Sequence, residues 1–173
     1  MNTVLLKRET LSKAGVARCG DVVETEGAGH FSINLGTVER FHDLARVDID
    51  YDGGGRPIIS LVTINSAQGV PFQIKLIERH PKASQAFIPM FDKPVYVVVG
   101  LPSRKADPEN LKAFVTNGKQ GFNYKAGVWH MPLIGDTVGQ CFVVVDQAGL
   151  EDNCDESVLV DHAIELRESR LHK

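Results

Sequence analysis

Short runs of β-branched and aromatic residues recur along this 173-residue chain, separated by Gly, Pro and Asp turns. The pattern predicts strands over Asp21–Glu24, His30–Asn34, Arg46–Asp50, Pro57–Asn65, Phe72–Arg79, Gln85–Met90, Val95–Gly100, Leu111–Thr116, Gly127–His130 and Val138–Asp146. Turns fall at Asp52-Gly-Gly-Gly55, Gln68-Gly69, Asp92-Lys-Pro94, Asn117-Gly118 and Gly135-Asp136. Asn117-Gly118 is the sharpest turn signal, because both residues tolerate positive φ. Helical periodicity is scarce. Residues 10–18 predict one short helix, with Thr10 as its cap and Gly20 as its stop. The tail from Asp155 to Arg170 has apolar residues at Val158, Leu159, Ile164 and Leu166, which favours a helix over an extended arm. Many short strands with so little helix predict a mainly all-β fold, a barrel or jelly roll with a few short helices, formed as one domain over residues 1–173.

Composition narrows the class. Hydrophobic residues make up 43% of the chain, enough for a packed core. The formal net charge is −3 and no Lys/Arg run stands out, which argues against a nucleic-acid partner. The start, Met1-Asn-Thr-Val-Leu-Leu-Lys-Arg-Glu-Thr10, is too short in apolar residues for a signal-peptide core. No apolar run approaches a membrane span; Val95-Tyr-Val-Val-Val99 has strand length. Cys19, Cys141 and Cys154 show no close metal-ligand spacing, and their odd number suits reduced thiols, so a cytoplasmic location is expected.

Two segments carry candidate chemistry. In Glu78-Arg-His80-Pro-Lys-Ala-Ser-Gln85, a strand would put Glu78 and His80 on one face and Arg79 on the other. In Gly121-Phe-Asn-Tyr-Lys-Ala-Gly-Val-Trp-His130, His130 follows Gly127 by three residues and stands beside Trp129. Together the segments offer a carboxylate, an amide and two imidazoles that can bind a metal or move protons. Trp129 alternates with His130 and is expected in packing, and Arg79 is expected in a structural ion pair. Asn65 ends an apolar strand and either reaches the cavity or serves as a turn residue. Arg40, His42 and Asp43 form a polar cluster, either at the cavity mouth or in a buried network. Asp152-Asn153-Cys154 reads as a turn, and Cys154 has no activating base nearby in sequence. Gly53-Gly-Gly55 lacks the helix and Lys-Ser/Thr of a phosphate loop.

The chain resembles the ureidoglycolate lyase family, also called ureidoglycolate hydrolase, over nearly its whole length. The resemblance runs through Gly20-Asp-Val22, Val38-Glu-Arg-Phe-His-Asp-Leu-Ala45, Glu78-Arg-His-Pro-Lys-Ala-Ser-Gln-Ala-Phe-Ile-Pro-Met90 and Phe114-Val-Thr-Asn-Gly-Lys-Gln-Gly121. It continues in Asn123-Tyr124, Gly127-Val-Trp-His-Met-Pro-Leu133 and Asp152-Asn-Cys154. It implies a cupin-like barrel, a homodimer and a late step in allantoin and purine breakdown. The first cupin motif survives in spacing as Glu78, His80 and Gln85, with one residue of the usual type; the second ends in Gly-x-x-His as Gly127 and His130. Lys125 replaces the motif's proline and Ile134 its asparagine.

What the resemblance implies for chemistry is cleavage of ureidoglycolate, a carbinolamine bearing a carboxylate, to glyoxylate and urea. The expected metal ligands are Glu78, His80, Gln85 and His130, for which the resemblance makes nickel the leading candidate; mixed imidazole and oxygen donors suit nickel, zinc, iron or manganese better than calcium. Without a metal, His80 or His130 would act as the general base. Tyr124 is expected to protonate the leaving nitrogen, and Gln85, Arg40, Asn65 and Asn123 to contact substrate. Two other readings stay open: an amidohydrolase releasing ammonia from the same substrate, and a cupin-like binding module without turnover.

Overall fold

The computed structural model describes residues 3–150, 152–159 and 163–167. The strands are β1 (Thr3–Thr10), β2 (Gly20–Val23), β3 (His30–Ile33), β4 (Val38–Phe41), β5 (Arg56–Thr63), β6 (Phe72–Ile74), β7 (Leu76–Arg79) and β8 (Gln85–Pro89). They continue as β9 (Val95–Val99), β10 (Lys112–Val115), β11 (Gly121–Tyr124), β12 (Ile134–Gly135), β13 (Cys141–Ala148), β14 (Asp155–Val158) and β15 (Ala163–Arg167). The one α-helix described, α1 (Lys13–Val16), is a single turn capped by Ser12, whose hydroxyl accepts from the Gly15 N–H. The fold is all-β and cupin-like, as expected, with curled sheets forming a half-barrel.

The two larger sheets run β12-β9-β10-β1-β15-β6 and β2-β11-β8-β13-β5, and β14-β7 and β3-β4 form two-stranded pairs. Between the two larger sheets lie Val22, Val97, Val99, Phe114, Phe122, Tyr124 and Val128, extended by Ile64, Val95 and Phe142. A second cluster, Ile77, Tyr96, Val98, Trp129, Met131 and Leu166 among others, covers the opposite face of β9. β9 is therefore buried on both sides, which is why Val95–Val99 is a continuous apolar run with no alternation.

Several expectations are corrected. Arg46–Asp50 joins no ladder; its Asp48 N–H donates to the Ser84 hydroxyl and its Asp50 N–H to the Gln147 side-chain oxygen. Phe72–Arg79 breaks at Lys75 into β6 and β7, which enter different sheets. Gly127–His130 is not a strand: only His130 makes β-bridges, to Glu78 and Val99. Ser12, not Thr10, caps the helix, because Thr10 still belongs to β1. The tail is not helical where it is described: Asp155–Val158 pairs with β7 and Ala163–Arg167 lies between β1 and β6, so non-local pairing overrides a weak helical period. Residues 160–162 and 168–170 of that expected helix lie outside the described residues.

Candidate active site

The site is built where the Gly127–His130 segment threads between β7 and β9. Gly127, at φ +75°, turns the chain and donates its N–H to the His80 carbonyl at 2.8 Å. Three residues on, His130 and Glu78 exchange both backbone hydrogen bonds at 2.8 Å. Directly paired antiparallel residues carry their side chains on the same face, and the Glu78 carboxylate lies 3.5 Å from His130 Nε2. Period-two alternation in β7 adds His80 to that face, with its ring centroid 5.4 Å from that of His130. The intervening Arg79 points the other way, where it pairs with Asp155 at 2.7 Å and lies over the Trp129 ring. Trp129 is core, its indole N–H donating to the Ser103 carbonyl. Both packing expectations thus match the geometry.

The tautomers follow from the hydrogen bonds. His80 Nδ1 lies 2.7 Å from the Asn153 carbonyl and His130 Nδ1 lies 2.9 Å from the Val128 carbonyl. A carbonyl only accepts, so each Nδ1 carries a proton, and Nε2 is left as the atom of each ring that can gain or lose one. Both Nε2 atoms are buried without a hydrogen-bond partner. Nε2 of His130 is within ion-pair distance of Glu78, but the pair lacks the geometry of a hydrogen bond. The Glu78 carboxyl is nonetheless held below its ordinary range, chiefly by His130 and against the cost of its own burial, with His80 and the Cys154 thiol adding to the effect.

This donor set fits a divalent metal. One ligand atom from each of Glu78, His80 and His130 falls within 4.8 Å of the others. Ligands about 2.0–2.2 Å from one ion lie at most roughly 4.4 Å apart, so a small side-chain adjustment closes the set. Two imidazoles and a carboxylate suit a transition metal better than calcium.

The remaining predicted residues divide. Tyr124 joins the site: its ring stacks on His130 with centroids 4.0 Å apart and planes 15° from parallel. Burial, and secondarily Glu78, raises its phenol pKa, so it remains an O–H donor. Gln85 lies opposite Tyr124 in the β8–β11 register, hence on the same inward face, and its Oε1 is buried without a partner. Asn123 alternates away from Tyr124; its amide donates to Asp21 and to the Arg46 carbonyl on the outer side of the sheet. Asn65 is exposed just past the end of β5 that pairs with Cys141, far along β13 from Gln85's neighbours. Arg40 is exposed on the β3–β4 hairpin, outside the barrel. His42 accompanies it, its ring edge-on to Phe31.

Sequence reasoning overlooked Asp146. It accepts from Gln85 at 3.4 Å through one oxygen, and its other oxygen is buried and unpartnered. The signal was available, since Asp146 follows Phe142 and Val144 at strand spacing and so continues a core-facing row. Asn153 was read as a turn residue, yet its carbonyl fixes the His80 tautomer and its side chain accepts from the Lys82 N–H. Cys154 stands 3.9 Å from the other Glu78 oxygen, and its thiol pKa is pushed up to about 11 by burial and then by Glu78.

No helix among the described residues is long and apolar enough to cross a membrane. The family model of ureidoglycolate lyase matches residues 3–166. A ureidoglycolate lyase of Burkholderia mallei is 47% identical over 154 residues, covering 89% of each chain. That of Burkholderia cepacia is 46% identical over 89% of this chain and 86% of its own, and that of Azotobacter vinelandii 41% identical over 88% and 90%. A match of this length, over a cupin-like fold whose paired motifs converge on Glu78, His80 and His130, means that the chain belongs to the ureidoglycolate lyase family.

Proposed function

We propose that this enzyme cleaves ureidoglycolate to glyoxylate and urea at the Glu78–His80–His130 pocket. The observation that carries the reading is the pair of buried, unpartnered Nε2 atoms beside a carboxyl held below its ordinary range. The reaction moves one proton and breaks one bond. The carbinolamine hydroxyl gives up its proton, the oxygen's electron pair forms the glyoxylate carbonyl, the C–N bond breaks, and the urea nitrogen takes a proton. Tyr124, kept protonated by burial, is suited to donate to that nitrogen. Glu78, His80 and His130, with Gln85 beside them, are suited to hold a divalent metal, nickel being our choice from the family. Such an ion would make the hydroxyl more acidic and offer positive charge to the substrate carboxylate. With both imidazoles so engaged, Asp146 is the remaining carboxylate that can take the hydroxyl proton; with no metal, an imidazole Nε2 can do so. The enzyme would serve allantoin and purine breakdown as a cytoplasmic homodimer, a location that suits its free thiols Cys19, Cys141 and Cys154.

Product analysis tests this. Purified protein given ureidoglycolate should release urea and glyoxylate in equal amounts. Ammonia without urea would mean the amidohydrolase reaction, and no turnover would mean a binding module.

A further inference from the structure

A cavity of about 610 Å³ opens where the corner between α1 and β2 meets the chain leaving β9. That volume falls in the usual range for small-molecule sites, about 300–1,000 Å³. Arg18 and Cys19 line it from the corner, Leu101 and Pro102 from the segment after β9, and Lys112 from the start of β10; Trp129 adds its buried indole. None of the catalytic-pocket residues Glu78, His80, Gln85, Tyr124, His130 and Asp146 lines it. What the two places share is backbone. The Gly100 N–H donates to the Trp129 carbonyl at 2.7 Å, and the residues beside them, Val99 and His130, form a bridge. The cavity is thus a neighbour of the catalytic pocket and separate from it.

Its charge is positive and uncompensated. Among the described residues, the side chains of Arg18 and Lys112 have no hydrogen-bond or ion-pair partner. Asp107 is the one acid on the wall, and both its oxygens are engaged inside its own turn, Oδ1 by the Glu109 N–H and Oδ2 by the Asn110 amide. The two cations converge on the same part of the wall. Burial raises the pKa of the Cys19 thiol, and Lys112, Arg18 and Lys125 all act against that rise. Lys125 is tied to the Ala17 carbonyl, so Arg18 and Lys112 are the pair left to take a ligand. Two unpaired cations on one cavity call for a dianion. The apolar surfaces of Leu101, Pro102 and Trp129 beside them call for an organic body attached to it.

We infer that this cavity is a second ligand site, which binds an organic phosphate monoester with its dianionic head between Arg18 and Lys112 and its apolar body against Leu101, Pro102 and Trp129. A guanidinium fork matches two phosphate oxygens, and an ammonium adds a point charge to the third. Inorganic phosphate would satisfy the cations and leave the apolar wall to water, so the ester should bind more tightly. The site does not depend on which substrate the catalytic pocket takes.

Titration with n-butyl phosphate tests this. Trp129 is the single tryptophan of the chain, so its emission reports occupancy of the cavity it lines, with calorimetry as the second readout. Both should show saturable binding, and n-butanol, the same body without the charge, should show none. Arg18→Ala and Lys112→Ala should each weaken binding by about 10–100-fold, the worth of a charged hydrogen bond, at an unchanged melting temperature. His130→Ala should bind the probe like wild type. No saturable binding by either readout, or wild-type affinity in both cation variants, would overturn the site. Loss of binding in folded His130→Ala would put the probe in the catalytic pocket and overturn it as well. Pentanoate, a monoanion with a similar body, should bind at least tenfold more weakly; equal affinity would overturn the assignment to a phosphate ester.

Discussion

Glu78 and His130 hold each other twice, through two backbone hydrogen bonds of 2.8 Å and through side chains 3.5 Å apart on the same face. The backbone pairing is what aims the chemistry. A one-residue slip would put Trp129 in the pocket and His130 in the outer core. Because the pairing is made by the main chain, Glu78→Gln should leave the ladder intact and remove only the charge. We expect a melting temperature close to wild type, together with weaker divalent-metal binding and lower turnover. Metal content by elemental analysis, with a melting curve, checks this; undiminished metal content in a folded variant would count against Glu78 as a ligand.

Tyr124 stacks on His130, so its ring and its hydroxyl are separable. Tyr124→Phe keeps the stack and should leave stability nearly unchanged. If the phenol donates the proton to the leaving nitrogen, turnover should fall by about 10²–10⁴. Steady-state kinetics beside a thermal melt separates the effects, and a wild-type kcat would remove the phenol from the mechanism.

Asn123 is the structural counterpart. It is fully buried, and its amide ties β11 to Asp21 and to the Arg46 carbonyl on the side of the sheet away from His130. Asn123→Ala should cost about 1–3 kcal/mol of stability, because the groups it pairs would be left unsatisfied. Turnover per folded molecule should be unaffected. Urea denaturation and kcat measured on the same preparation would show it; lost kcat at full stability would place Asn123 in the chemistry.

Cys154 should be a poor nucleophile. Partial burial and then the neighbouring Glu78, Glu156 and Asp155 carboxylates raise its thiol to about 11 from an ordinary 9.0. A raised thiol pKa means less thiolate at every pH below it. In a Cys19→Ser, Cys141→Ser background, iodoacetamide alkylation should be slow at pH 8 and keep accelerating toward pH 11. A rate that levels off near pH 9 would show an unshifted thiol.

How much of this was legible in sequence depended on whether the determinant was local. Val95–Val99 announced a strand through its apolar, β-branched run, and its burial on both faces became visible only in the sheet packing. Glu78 and His80 declared a shared face through alternation, whereas Gly127–His130 read as a strand, and the turn at Gly127 that brings His130 in was not expected. β1 was missed because Thr3–Thr10 carries only a short apolar run; it forms by parallel pairing with β10 and β15, distant in sequence. The tail failed for the same reason, with β14 and β15 set by partners far along the chain. Tyr124 and Gln85 were expected together, but their common face comes from the β8–β11 register, which no local pattern encodes. Asn123, adjacent to Tyr124, had to face the opposite way on a strand, and β11 itself was not expected.

Turnover of the two histidine variants, read as urea released from ureidoglycolate, bears most directly on the claim that this pocket carries the reaction. His80→Ala and His130→Ala should each fold, and each should lose about 10²–10⁴ in turnover. Trp129→Phe, one residue from His130 but facing the outer core, should lose stability and keep its rate per folded molecule. Wild-type urea release by either histidine variant, with a wild-type melting curve, would contradict the assignment of catalysis to Glu78, His80 and His130.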